Sequence, residues 1–361
     1  MRVLVVNAGS SSLKLRVLDP NDEVAFARDL GPINEGDALA EALSEVGGVE
    51  AVGHRIVHGG TRFSNSVRID ETVRDSLGTL TDLAPLHQPL SLAALDEVSR
   101  IKPELPAVAS FDTAFHVTLL PEAATYALPD EWRDRYGIKR YGFHGLSHKY
   151  AARRVAEILH RSADRLRLVT CHLGAGASLA AVKDGESVDT TMGFTPLEGL
   201  VMATRSGTID PGLVLWLLNN AGLSVDDVAD ALEHRSGLKG LAGTADMSRV
   251  LAAANAGKPD ARRAVDVYVH RLCASIASMA ASLEGLDVLV FTGGVGENAW
   301  PIRQRVGDRL GFLGIQIDAE RNRTTASDAD IATPGATVRC LVIASREDVE
   351  IAREVRRVLT D

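Results

Sequence analysis

Residues 2–19 read Arg-Val-Leu-Val-Val-Asn-Ala-Gly-Ser-Ser-Ser-Leu-Lys-Leu-Arg-Val-Leu-Asp, and residues 167–184 read Arg-Leu-Val-Thr-Cys-His-Leu-Gly-Ala-Gly-Ala-Ser-Leu-Ala-Ala-Val-Lys-Asp. Each is an apolar run, a glycine turn and a second apolar run, the pattern of strand, turn and strand. At an offset of 165, Arg2 meets Arg167, Gly9 meets Gly174, Val17 meets Val182 and Asp19 meets Asp184. The shared pattern points to an internal duplication. In extended backbone Ser10, Ser12 and Lys14 share one face, because side chains alternate with period two.

Outward from these hairpins, a third cluster, Thr292-Gly293-Gly294-Val295-Gly296-Glu297-Asn298, follows the apolar run 288–291. A helix is expected after it, with Pro301 in its first turn. Helical spacing occupies 88–100, 148–160, 261–284 and 346–359, and strand-like runs occupy 51–58, 107–111 and 338–343. Strands interleaved with helices predict an α/β fold. Two similar hairpin starts predict two similar domains meeting at a cleft, with a boundary between residues 111 and 140.

Composition narrows the function. Over 361 residues, a net charge of −9 leaves no basic field for nucleic acid or an anionic membrane. Aromatics at 4 % offer no stacking platform for bases, and 45 % hydrophobic residues exclude wholesale disorder. Cys171, Cys273 and Cys340 form neither a disulfide framework nor a zinc spacing. The small-apolar stretch 272–295 is broken by Glu284 and Asp287, so it makes a poor membrane span. The start at Met1 lacks a signal-peptide layout, and a cytoplasmic enzyme is expected.

Glycine after a strand lets backbone N–H groups approach an anion. Three such turns suggest a phosphate-rich ligand; the alternative is three tight hairpins that need positive φ. There is no Gly-Lys-Ser/Thr, and Gly174-Ala175-Gly176 and Gly294-Val295-Gly296 lack the third glycine of a dinucleotide fingerprint. His54/His58 and His144/His148 have a spacing that could hold zinc on a helix, though neither encloses the usual glutamate; packing is the alternative. Gly53-His54-Arg55-Ile56-Val57-His58-Gly59-Gly60 reads as a strand that would fix Arg55 for a substrate anion, or leave it a surface arginine. Asp112, in Phe111-Asp112-Thr113-Ala114-Phe115-His116, stands where α/β folds bind ligands, or caps a helix. Ala203-Thr204-Arg205-Ser206-Gly207-Thr208-Ile209-Asp210-Pro211 is a polar loop with an arginine and an acid, or an ordinary turn.

These stretches, with Asn7-Ala-Gly-Ser-Ser-Ser-Leu-Lys14, Leu83-Ala-Pro-Leu-His87, Tyr141-Gly-Phe-His-Gly145, Thr170-Cys-His-Leu-Gly174 and Met192-Gly-Phe-Thr-Pro-Leu-Glu-Gly199, run in one order along nearly the whole chain. In that order they resemble the motifs of the acetate kinase family, a branch of the actin-like and hexokinase-like ATPases. The resemblance implies two duplicated actin-like (ribonuclease H-like) α/β domains around a nucleotide cleft. One would span 1–116 with a C-terminal helix at 349–361, the other 117–348. It implies reversible, direct in-line phosphoryl transfer from ATP to acetate, giving acetyl phosphate and ADP. It also implies Mg²⁺, with Mn²⁺ as a substitute, and a homodimer.

Carried over by position, the resemblance places Asn7 and Glu347 near Mg²⁺. Ser10, Ser12 and Lys14 would serve the phosphates. The loops His172, Leu173, Gly174, Ala175, Gly176 and Gly294, Val295, Gly296, Glu297, Asn298 would cradle ATP together with Asp246, Met247 and Ser248. Arg55 would hold the acetate carboxylate, Arg205 would flank the transferring phosphoryl group, and His144 would donate a hydrogen bond to it. Asp112 would orient substrate or Arg55. Val57, Leu86, Phe143 and Pro196 would line a small methyl pocket.

The chain departs from the family pattern at Ala175, where Asn is usual, at Ser248 and at Arg346, and it is short between Asp19 and Val52. Two alternatives stand beside acetate: a kinase for a longer short-chain acid such as propionate and, motivated by Ala175, Ser248 and Arg346, a nucleotide-binding sensor without catalysis. Phosphoryl transfer itself wants charge stabilisation and positioning, which Arg55 and Arg205 suit as permanently charged planar donors. A carboxylate acceptor titrating near about 4–5 is already an anion, so no general base is needed.

Overall fold

β1 (Val3–Ala8) is apolar on both faces and buried almost throughout, as a strand inside a sheet requires. It pairs antiparallel with β2 (Leu13–Leu18) and parallel with β4 (Ala51–Ile56); β2 pairs antiparallel with β3 (Val24–Leu30). β5 (Val67–Arg68) runs antiparallel to β6 (Ala107–Phe111), which lies parallel to β4. The resulting order is β3-β2-β1-β4-β6-β5, with the largely exposed β3 at an edge. This computed structural model describes residues 1–9, 13–31, 36–85, 87–162, 166–326 and 328–360, with backbone only at 36 and 37. Ser10, Ser12 and Leu86 lie outside the described residues.

The second sheet repeats the first. β7 (Arg167–Leu173), β8 (Ala177–Lys183) and β9 (Glu186–Thr190) form an antiparallel meander. β10 (Val288–Thr292) pairs parallel with β7 and with β12 (Arg339–Val342), and β11 (Ala329–Asp330) lies antiparallel against β12. Read from β9, the order β9-β8-β7-β10-β12-β11 reproduces β3-β2-β1-β4-β6-β5 with every parallel and antiparallel relation kept. Shifted by 165, β1 falls on 168–173 within β7, and β2 on 178–183 within β8. Register irregularities recur at Val17/Leu18 and at Ala181/Val182. The duplication expected from sequence is therefore present strand for strand.

The chain divides into two compact units: Met1–Val117 with Phe143–Tyr150 and Arg346–Asp361, and Thr118–Gly142 with Ala151–Ser345. In the first, Leu4, Val6, Leu13, Leu15, Leu43 and Val98 make one apolar cluster, and Ile56, Leu77, Leu95, Ala109 and Phe111 make another. The C-terminal helix Glu347–Thr360 packs on β4, where a side chain would obstruct it. A methyl group on Gly53 would stand 2.5 Å from Ile351 Cγ2 and 2.7 Å from Val355 Cγ2. Glycine is thus the residue that lets helix and sheet close up.

The four helical spacings appear as Gln88–Ile101, Gly145–Leu159, Pro259–Ser282 and Glu347–Thr360. Two readings need correction. The 292–298 cluster is not a loop followed by a helix. A short helix, Gly293–Asn298, starts directly after β10, and Trp300–Arg309 follows with Pro301 in its first turn. His54 and His58 share no helix, since His54 lies inside β4 and His58 beyond its end, so their spacing carries no helical zinc pair. Among the described residues no helix is long and apolar enough to cross a membrane, and all three cysteines are free and buried.

Candidate active site

The burial pattern of three strands marks the site. β1 is buried except at Asn7 and β4 except at Arg55, while β7 is buried except at its first residue and His172. In each, the half-buried position lies at the C-terminal end, where open α/β sheets bind ligands.

In the first unit these ends converge. Arg55 Nε donates to Asp112 Oδ1 at 3.0 Å and Nη2 to Asp112 Oδ2 at 2.5 Å. Its Nη1 donates to Asn7 Oδ1 at 3.2 Å, and Asn7 Nδ2 donates to Glu347 Oε2 at 2.9 Å. Glu347 Oε2 lies 4.0 Å from Arg55 Nε. Asp112, at 1 % exposure, is clamped rather than capping a helix. Burial pushes its carboxyl above the usual range, against the pull of Arg55 and of the His144 backbone N–H; Arg55 is held above its ordinary value although burial alone would lower it. A guanidinium has five N–H donors. These contacts leave one on Nη1 and one on Nη2 without a partner among the described residues.

His144 sits beside this cluster in a left-handed conformation, φ 56°, which is uncommon for a residue with a side chain. Gly145 follows, and its N–H donates to the Asp112 carbonyl at 2.9 Å. A methyl group there would stand 2.2 Å from that oxygen, so only glycine allows the approach. Val57 and Phe143 are buried, with the His58 ring edge-on to Phe143 at 5.5 Å. Lys14, exposed on β2, is the direct cross-strand neighbour of Asn7 and shares its face of the sheet. The His148 N–H donates to the His144 carbonyl, and among the described residues no cluster of three or more His, Cys, Asp or Glu could hold a metal.

The second unit holds a cavity of about 480 Å³, within the ordinary size of a small-molecule pocket. Of the candidate nucleotide residues, Gly174, Ala175, Asp246, Met247, Ser248, Gly294, Val295 and Asn298 line it. His172, Leu173, Gly176, Gly296 and Glu297 do not. Leu173 and Gly296 are buried, and Glu297 Oε1 accepts the Ser345 N–H at 3.0 Å. Arg205 is near-buried in the same unit, its Nε 3.4 Å from Glu233 Oε2, and burial lowers its pKa. Asp210 caps the helix Pro211–Asn220 by accepting from Gly212 N, a role the sequence reading did not assign it. Pro196 is half-buried in this unit.

Sequence reading missed the rest of the wall: Ala203, Leu238, Ala245, Leu251, Tyr268 and Ala299. Small apolar residues carry no signal of their own, and Tyr268 reads as part of a helix's core stripe. Its buried hydroxyl has no partner among the described residues, nor does that of Thr292 at the end of β10. Such groups cost about 1–3 kcal/mol unless a ligand or water satisfies them. Also missed was Arg303, 2 % exposed, whose Nη1 donates to the carbonyls of Gly296 and Glu297 at 2.8 and 2.6 Å. Burial lowers its pKa to about 10, and it pins the glycine segment from behind.

With this geometry in hand, the chain compares closely with known proteins. The family model for the Acetokinase family matches residues 33–353. The acetate kinase of Rippkaea orientalis is 43 % identical over 98 % of this chain and 87 % of its own. The chain belongs to the acetokinase family. The crystal structure of Porphyromonas gingivalis acetate kinase superposes with a TM-score of 0.91 at 34 % identity, over 99 % of each chain. That of a propionate kinase from Francisella tularensis gives 0.92 at 36 %, again over 99 % of each.

As a member of the acetokinase family the chain is an enzyme, a kinase, and its two sheets are the duplicated actin-like fold of that family. Its departures from the family pattern fall in definite places. Ala175 lines the cavity. Ser248 Oγ and N–H both donate to Asp246 Oδ1, at 2.7 and 2.8 Å, capping the helix Met247–Asn255. Arg249, one place later, is largely exposed. Arg346 Nε pairs with Asp348 Oδ1 at 2.9 Å.

Proposed function

We propose that this chain transfers the γ-phosphoryl group of ATP to acetate, reversibly and in line, giving acetyl phosphate and ADP. The observation that carries this reading is the Arg55 guanidinium, fixed by Asp112 and Asn7 on a buried strand with one N–H left over on each Nη. That fork suits a carboxylate bound end-on. One acetate oxygen attacks the γ-phosphorus while the bond to the β–γ bridging oxygen breaks and ADP departs. Because the acceptor is already an anion, Asp112 acts by holding Arg55. Buried Val57 and Phe143 favour a short acyl chain. Arg205, Lys14 and His144 bear on the phosphoryl oxygens, and the cavity of the second unit takes the nucleotide.

The candidate metal donors are Asn7 Oδ1, which accepts from Arg55 Nη1, and the Glu347 carboxylate, whose Oε2 accepts from Asn7 Nδ2 at 2.9 Å. Two such oxygens would hold Mg²⁺, a hard cation that keeps several waters, and its charge would offset that of the phosphates. A homodimer and a cytoplasmic setting belong to the same proposal. The exposed apolar residues Leu213, Leu215 and Trp216 offer a second copy a face to cover. Propionate is the second reading, supported by the likeness to the Francisella propionate kinase. One more methylene is worth only about 1–3 kcal/mol of discrimination.

The test is acyl phosphate trapped as hydroxamate, with MgATP and acetate, propionate or butyrate. Acetate-dependent product is expected, with slower product from propionate. It should fall about 10³-fold or more in Arg205→Ala, as when other phosphoryl-transfer arginines are lost, and vanish with excess EDTA. Faster turnover of propionate would replace acetate by the second reading. No product with any acid, despite MgATP binding, would overturn both and leave a sensor.

A further inference from the structure

We infer that the second unit carries an anion-binding site apart from its nucleotide cavity, built for a small ligand with two or more negative charges. It is a concavity of about 680 Å³ on the exposed face of the helix Pro259–Ser282, walled by Arg262, Arg263, His270, Arg271 and Arg309. No residue lining it lines the nucleotide cavity.

The charge balance is what sets this surface apart. Acids outnumber bases in the chain, and its other surface arginines are mostly paired, as Arg74 is with Asp96 and Arg167 with Asp287. Here Arg263 pairs with Asp260 at 2.7 Å, and the one lining acid, Asp266, is taken by Arg305. Among the described residues Arg262 donates only to the Ala254 carbonyl. Arg271 and Arg309 have no carboxylate partner among the described residues. Three arginines with no ion-pair partner among the described residues therefore line one concavity, whose single acid is already paired. Guanidinium groups so placed suit multidentate phosphate or carboxylate recognition. The patch is local on an acidic chain, which favours a compact polyanion over a long nucleic-acid backbone.

The test is calorimetric titration of the full chain with pyrophosphate and, separately, with propane-1,2,3-tricarboxylate. Wild type is compared with Arg271→Gln/Arg309→Gln. Any binding of pyrophosphate at the nucleotide cavity is common to both proteins and cancels. Beyond any event common to both proteins, wild type should show one that weakens with added salt and falls about tenfold or more in the double variant. Binding of MgADP should stay unchanged, which shows the variant folded. A response to pyrophosphate alone assigns a phosphate-bearing ligand; a response to both assigns polyanions generally. Equal pyrophosphate affinity and stoichiometry in the two proteins, or no salt-sensitive event in wild type, would overturn the site.

Discussion

At the scale of single residues, the pair Arg55–Asp112 decides what can be tested. Its two bonds are bidentate and nearly dry, and a lysine cannot reproduce them. Arg55→Lys should therefore raise the KM for acetate about 10- to 100-fold, the value of one charged bidentate contact, with a smaller change in the KM for MgATP. Asp112→Asn separates positioning from base catalysis. It should lower kcat/KM while leaving the shape of the pH–rate profile between pH 6 and 9 unchanged, because the acceptor carries no proton to remove. If the variant instead lost an ionisation from that profile, Asp112 would be a base and the positioning role would fail. Arg55 was legible in sequence because a charge stood inside an apolar run. Asp112 was legible only as one of two roles, since an acid after a strand caps helices as readily as it clamps an arginine.

At the scale of elements, the strands and long helices were legible because burial dictates their periods. β1, β7 and β10 could hardly be anything else. The helix Gly293–Asn298 was not, because three glycines in a short span read as loop and only packing against β7 and Arg303 makes them helical. Nor was the return of residues 143–150 to the first unit visible, since nothing local encodes it. That return is fastened by Lys149, whose Nζ lies 2.5 Å from Glu354 Oε1 and 3.3 Å from Glu350 Oε1, two nearly buried acids on the C-terminal helix. Burial alone would lower the ammonium's pKa, but the two glutamates hold it above its ordinary value. Lys149→Met removes the ammonium that both carboxylates share. Because Lys149 is partly exposed, the cost should be about 2 kcal/mol rather than the full value for a buried pair. Thermal unfolding should fall by about 4–8 °C. Adding Glu354→Leu should recover part of the loss. A single variant that melts with wild type would mean that Arg357, 2.8 Å from Glu354, already suffices.

At the scale of the whole molecule, the repeated topology was legible from four shared residues at one offset, because two copies of a fold must repeat the same turn between the same strands. What no pattern revealed is how the first unit responds to acid. His54 and His116 are fully buried, and burial lowers both to about 4. His116 Nε2 lies 3.0 Å from the Phe143 carbonyl, whereas neither ring nitrogen of His54 has a hydrogen-bond partner among the described residues. The folded state thus refuses protons that the unfolded chain accepts below about pH 6.5. Stability then falls as pH drops from about 6.5 toward 4, and above 7 these two groups contribute no slope. At pH 5 each should cost about 2 kcal/mol relative to pH 7.5. His54→Leu keeps an apolar side chain of similar size in β4 and removes one of the two titrations. Its urea midpoint should consequently shift less between pH 7.5 and pH 5 than that of wild type, by the equivalent of about 2 kcal/mol. Identical acid shifts in the two proteins would show that His54 takes up its proton through a local opening rather than through unfolding of the unit.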